Sequence, residues 1–245
     1  MRNFALTYPQ LINQAIALEK EESYCVRLRS AYELAVRSFD GFYRAQGIPF
    51  ICHLTRTASI ILAEGQPVET AMTALLHSAY MFGNVTPSRK KELLREVGGE
   101  VETLVRGYGK LSWREPEALE NHLSCLSSYS DSTRQLLCIR LANELEDHLD
   151  FNMVYRGSFP YREWIEGRGK LIVELARRIG SPALVKELEQ EFEATLACRL
   201  PESVQRSCRD AYELPEHVLF RKGPLRRRLS KLKHLILNRK GPSPQ

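Results

Sequence analysis

The 245-residue sequence has no run of about 18 apolar residues, so no helix in it is long and apolar enough to cross a bilayer. Its six cysteines, at 25, 52, 125, 138, 198 and 208, include no Cys-x-x-Cys pair, which removes support for a thiolate zinc site. Residues 1–14 lack an apolar core, because Pro9, Gln10, Asn13 and Gln14 interrupt them, and this reads against a secretory signal. The cysteines are therefore expected to be reduced thiols, mostly small buried side chains, in a cytoplasmic protein. Glycine (14) and proline (12) are too sparse for a collagen-like or low-complexity chain. No β-hairpin signal and no repeat of 20–50 residues is present. Acidic residues are missing from 217–245, and aromatic residues from Pro224 onward.

What is there is a globular composition, 43% hydrophobic and 27% charged, which excludes global disorder. The formal net charge of +5 is unevenly spread. Nine of the 35 basic residues lie in 217–245, so the rest of the chain carries 26 basic against 30 acidic groups and is mildly acidic. Helical periodicity dominates that body. Ala31, Leu34, Ala35 and Phe39 form one stripe, Ala58, Ile61 and Leu62 a second, and Ala71, Ala74, Leu75 and Ala79 a third. Leu136, Ile139, Leu141, Leu145 and Leu149 form a fourth, and 162–179 and 183–200 continue the pattern. Gly41, Gly47-Ile-Pro49, Gly65-Gln-Pro67, Gly83-Asn84 and Gly180-Ser-Pro182 punctuate it. Asp131, Ser132 and Thr133 are candidate N-caps for the helix that follows them. The expectation is an all-α bundle of about nine to eleven helices. It comprises an N-terminal helical extension (1–24), a main domain (25–200) and a connector with a basic tail (201–245).

Three segments carry chemistry. They are Gly41-Phe-Tyr-Arg44-Ala-Gln-Gly47-Ile-Pro49-Phe-Ile-Cys-His53, then Ala74-Leu-Leu-His77-Ser78, then Arg140-Leu-Ala-Asn143-Glu144-Leu-Glu-Asp147. Helical metal sites gather imidazole and carboxylate ligands from several helices, because one helix cannot surround an ion. On their own, two histidines 24 residues apart also read as ordinary core or surface residues.

In order and spacing these segments resemble the HD-type hydrolase domain of the RelA/SpoT alarmone family, over roughly residues 30–155. Gly41, Arg44, Gly47, Pro49, Ile51 and His53 match the first family motif without a gap, Phe50 and Leu54 depart from it, and Gly107-Tyr-Gly-Lys110-Leu111 resembles a further segment. No synthetase domain is expected to follow. The resemblance implies an HD-domain-like helical bundle with a manganese-type ion held by two histidines and two aspartates. His53 and His77 keep the histidine positions. Ser78 and Asn143 stand at the aspartate positions, and Met81 and Phe82 at the Glu-Asp pair that activates water. Two imidazoles, a hydroxyl and an amide bring no formal charge to offset desolvation of a hard cation, and Met81 and Phe82 cannot steer a water. Asp147 reads either as a substitute ligand, near His53, His77 or His148, or as one of several solvated acids. By the same resemblance Arg44 lies near a nucleotide base, with Lys110 and Arg140 adding positive charge; otherwise the Gly and Pro turns shape a helix junction and Arg44 makes a surface ion pair.

The tail after Pro224 reads as an amphipathic helix. Leu225, Leu229, Leu232 and Ile236 form its stripe, flanked by Arg226, Arg227, Arg228, Lys231 and Lys233. Residues 224–240 therefore suit an anionic membrane surface, with docking on the protein itself or a protein partner, and nucleic acid, as competitors. The first expectation is a catalytically impaired pseudohydrolase without a cofactor, binding a guanine nucleotide or nucleotide-sugar or acting as a protein scaffold. It would be cytoplasmic, at the inner face of a membrane if the tail anchors it. The second is an active phosphohydrolase of nucleotide pyrophosphates with an altered metal-ligand set. The third is a nucleic-acid-associated adaptor.

Overall fold

Each apolar stripe becomes a helix that turns its stripe inward. The computed structural model describes residues 3–81 and 86–208. Its helices are α1 (Tyr8–Ala17), α2 (Glu22–Phe39), α3 (Phe50–Ala63), α4 (Val68–Leu76), α5 (Pro87–Val97), α6 (Gly99–Tyr108), α7 (Pro116–Cys125), α8 (Asp131–His148), α9 (Tyr161–Ile179), α10 (Pro182–Ala197) and α11 (Glu202–Gln205). Among the described residues there is no strand, only an isolated antiparallel bridge between Tyr43 and Pro49. The all-α expectation holds. Phe82 and the whole tail stripe, Leu225 to Ile236, lie outside the described residues.

The core is built around α3, α4 and α8. α3 packs on both α4 and α8, α2 packs on α4, and α9 packs on α7 and α10. Ala31, Leu34, Ala35, Ala58, Ile61, Leu62, Ala71, Ala74 and Leu75 are all essentially inaccessible. α1 packs on α2 and α3 and contributes Leu11 and Ala15 to the same core. The extension expected over 1–24 is thus part of the bundle, and its far boundary falls inside α2.

From Leu136 onward α8 is buried except along the line of Arg140, Asn143 and Asp147, which are half-buried, and this matters for the site. Leu137, Ile139, Leu141 and Leu145 are fully buried. Their burial contributes about 6–12 kcal/mol gross, enough to carry the charged residues Glu144 and Glu146 into the interior of the same helix. Its cap is one residue earlier than expected: Ser130 Oγ accepts the Thr133 N–H at 3.3 Å, and Asp131 sits in the first turn, where the helix dipole favours a carboxylate. Gly180 ends α9 in the left-handed region (φ 88°), as the Gly-Ser-Pro signal implies. Of the six cysteines, all free, Cys138 alone is buried. The others are half-exposed, so the expectation that most are core residues is corrected.

Candidate functional site

Arg44 owes its place to a tight loop between α2 and α3. The Arg44 N–H donates to Ile48 O, Gly47 N–H donates back to Arg44 O, and Phe50 N–H reaches Phe42 O, each at 2.9 Å. Gly47 makes this closure possible by adopting φ 80°, which a side chain would resist. Pro49 then caps α3, whose first turn carries His53. His77 is the C-cap of α4. From α8 come Asn143, Glu146 and Asp147, spaced i, i+3, i+4 and so on one face.

These residues meet in one charge cluster. Arg44 spans two carboxylates: Nη1 donates to Glu146 Oε2 at 2.5 Å, and Nη2 donates to Asp147 Oδ1. Asn143 Nδ2 donates to the other Asp147 oxygen at 3.3 Å. His53 Nδ1 bonds the same Glu146 Oε2. Because a carboxylate can only accept, the bonding network assigns the proton to Nδ1, aimed at Glu146. The 2.9 Å approach of Arg44 Nη1 to Nδ1 is then two donors sharing one acceptor. Burial pushes the Glu146 carboxyl up, but facing His53 and Arg44 outweigh it and hold it at about 2. Burial likewise lowers the Arg44 guanidinium, and Asp147 and Glu146 more than reverse it.

His77 lies beside this cluster. Its ring meets that of His53 edge-on at 5.3 Å and leans on Tyr108 at 4.8 Å. Its Nδ1 donates to Ala74 O at 2.7 Å. Burial, then the proximity of His53, lowers its pKa to about 3, so the ring is neutral with its lone pair on Nε2.

A cavity of about 420 Å³ opens onto the cluster. Arg44, His53, His77, Ser78, Met81, Arg140, Asn143 and Asp147 line it, so most residues picked from the three segments are brought together. Met81, in the lining, is 48% exposed. Arg140 stacks its guanidinium 3.9 Å over Tyr108 and donates to the carbonyls of Tyr108 and Leu111, while its buried Nε has no partner. Lys110 is exposed and is not in the lining, because the carbonyls of its turn, rather than its side chain, face Arg140. Asp147 belongs to the cluster and is not a solvated acid; Arg44 makes a buried double pair and not a surface one. His148 does not join them: it faces Thr195 Oγ1 at 3.1 Å and Phe192.

Sequence reasoning missed Glu146, Arg114 and Arg156, which complete the cluster and the lining. It also missed a second buried group, Glu144, on another face of α8, which accepts from both tryptophans, Trp113 Nε1 at 3.2 Å and Trp164 Nε1 at 2.6 Å.

No family model and no curated protein sequence matches the chain. Among solved structures it is similar to a metazoan ortholog of SpoT that hydrolyzes ppGpp, with a TM-score of 0.52 over 69% of this chain and 94% of that one, at 19% identity. The fold is that of an HD-domain hydrolase. The all-α bundle agrees with it.

HD-type hydrolases use divalent metals, and His53, Glu146 and Asp147 place donor atoms within 4.8 Å of one another. The donors as they stand do not fit a hard divalent ion. Both carboxylates already face the Arg44 guanidinium, and Ser78 and Asn143 bring no charge.

Proposed function

We propose that the chain is a catalytically impaired HD-type module that binds a phosphorylated nucleotide, of the guanine class that the similar SpoT ortholog hydrolyzes. The observation that carries this is the charge of the cavity wall: Arg44, Arg114, Arg140 and Arg156 stand there against Asp147, with Glu146 behind. Arg114 and Arg156 have no carboxylate partner among the described residues; Arg156 lies over the Phe159 ring at 4.6 Å. Planar guanidinium groups match phosphate oxygens in pairs. The volume suits a small-molecule ligand, and Phe42, 44% exposed in the lining, offers it a ring. Hydrolysis by the metal route has little support, since among the described residues that line the cavity no carboxylate is free of Arg44 to hold the ion or take a proton.

Calorimetry in metal-free buffer tests this. Guanosine 3′,5′-bisdiphosphate is expected to bind at least ten-fold more tightly than guanosine. Arg114→Ala and Arg156→Ala should each weaken it, and added salt should weaken it in all forms. Equal affinity for guanosine and its polyphosphate would sink the proposal, and a nucleotide-sugar binding best would redirect it. The His53–Glu146–Asp147 cluster favours a second reading, an active hydrolase with an altered ligand set, which stoichiometric metal and turnover would establish. To the same proposal belongs a cytoplasmic module held on anionic membrane by residues 224–240; vesicle sedimentation unchanged by deleting them would remove that part.

A further inference from the structure

We propose that Arg44 is the resident cation of this site: its guanidinium occupies the carboxylates of Glu146 and Asp147 and thereby keeps a divalent metal out. The proposal goes beyond nucleotide binding and does not depend on it.

Three observations carry it. First, the two imidazoles are still set as ligands. Each has its Nδ1 tied to an acceptor, Glu146 for His53 and the Ala74 carbonyl for His77. A metal-bound histidine is usually oriented in this way, with its other nitrogen left for the ion. Second, anionic oxygen is present at the site, although not at the family positions: Glu146 and Asp147 reach it from the next turn of α8. Third, that oxygen is spent. Arg44 bonds both carboxylates through its two terminal nitrogens, is itself only 12% exposed, and is held by the Arg44–Gly47 and Arg44–Ile48 backbone bonds of its loop. A divalent ion would have to displace a buried two-point ion pair and then lie beside the displaced positive charge. What the site lacks for metal binding is uncommitted negative charge rather than negative residues.

The prediction is a gain of function on removing a side chain. Purified full-length protein, desalted after exposure to Mn²⁺, is expected to retain under about 0.1 ion per chain, and Arg44→Ala about one. Mn²⁺ should raise the melting temperature of Arg44→Ala and leave that of the wild type unchanged. Adding Asp147→Asn or His53→Ala to Arg44→Ala should abolish uptake, and Arg44→Lys, which keeps a cation there, should stay metal-free. Wild-type protein holding one Mn²⁺ per chain, lost in His53→Ala, would overturn the proposal, as would a folded Arg44→Ala that takes up none. If Arg44→Ala folds only when Mn²⁺ is added, the proposal stands; if millimolar Mn²⁺ does not rescue it, the proposal fails. Nucleotide affinity measured without metal is a separate readout, so either reading can fall alone.

Discussion

Replacing Glu146 with Gln tests the central electrostatic argument. The carboxylate is buried, accepts from His53 Nδ1, and pairs with Arg44 at 2.5 Å. Removing its charge leaves Arg44 with Asp147 alone and strands the His53 donor on a weaker acceptor. Breaking one partner of a buried pair costs about 3–5 kcal/mol. Gln keeps an acceptor oxygen, so a loss near the lower figure is expected at pH 7, a fall in melting temperature of about 6–12 °C for a chain of this size. The pH dependence gives a second, independent mark. The folded pKa of Glu146 is depressed from 4.5 to about 2. Its stabilisation is therefore fully present above about pH 4.5 and is lost as pH falls toward 2, amounting to about 3 kcal/mol. Urea titrations of both forms at pH 7, 5, 4 and 3 should show the stability gap narrowing with acid, because the wild type loses what the variant never had. A constant gap from pH 7 to 3, or a gap under about 1 kcal/mol at pH 7, would refute the claim that Glu146 is a charged member of a tightly paired cluster.

Two further outcomes follow from particular residues. Gly180→Ala should destabilise by about 1 kcal/mol in urea titration, because the α9 C-cap needs φ 88° and a Cβ there meets strain and no steric contact. His77, lowered to about 3 by burial, should show a flat ring-proton NMR shift from pH 8 to 4. Since the unfolded chain takes up its proton near pH 6.5 and the folded one does not, its contribution falls as pH drops from about 6.5 to 3, and His77→Gln should flatten that limb.

Much of this was legible in the residues themselves, for a physical reason. Stripes such as Ala31, Leu34, Ala35 and Phe39 are read from spacing alone, because a helix that buries one face must repeat near 3.6 residues. The turn residues around Arg44 were legible too: Gly47 and Pro49 do the geometric work their types imply. Glu146 was not. In Glu144-Leu-Glu146-Asp147-His148 the acids look like a solvated face. They are interior because Leu137, Leu141 and Leu145 on one side, with Ile139 and Ala142 on the other, are buried and leave α8 only the line of Arg140, Asn143 and Asp147 toward the cavity. The signal to use was the spacing of Arg140, Asn143 and Asp147 along one line of the helix: Glu144 and Glu146 lie off that line, among buried residues, and so need partners. Cap choice at Ser130 turned on one residue of register, which composition cannot resolve.

The charge balance ties these points together. Buried carboxylates on a central helix are tolerated only when each has a partner. Here the partners divide by face: the tryptophan N–H groups serve Glu144, and Arg44 with His53 serves Glu146 and Asp147. An HD-type site that used a metal for that second duty would need Arg44 elsewhere. With Arg44 inside, the duty is discharged by the chain itself, and Arg114 and Arg156 on the cavity wall, which have no carboxylate partner among the described residues, suit a ligand that brings its own anions. Metal exclusion and phosphate recognition are in this view two consequences of where the arginines stand.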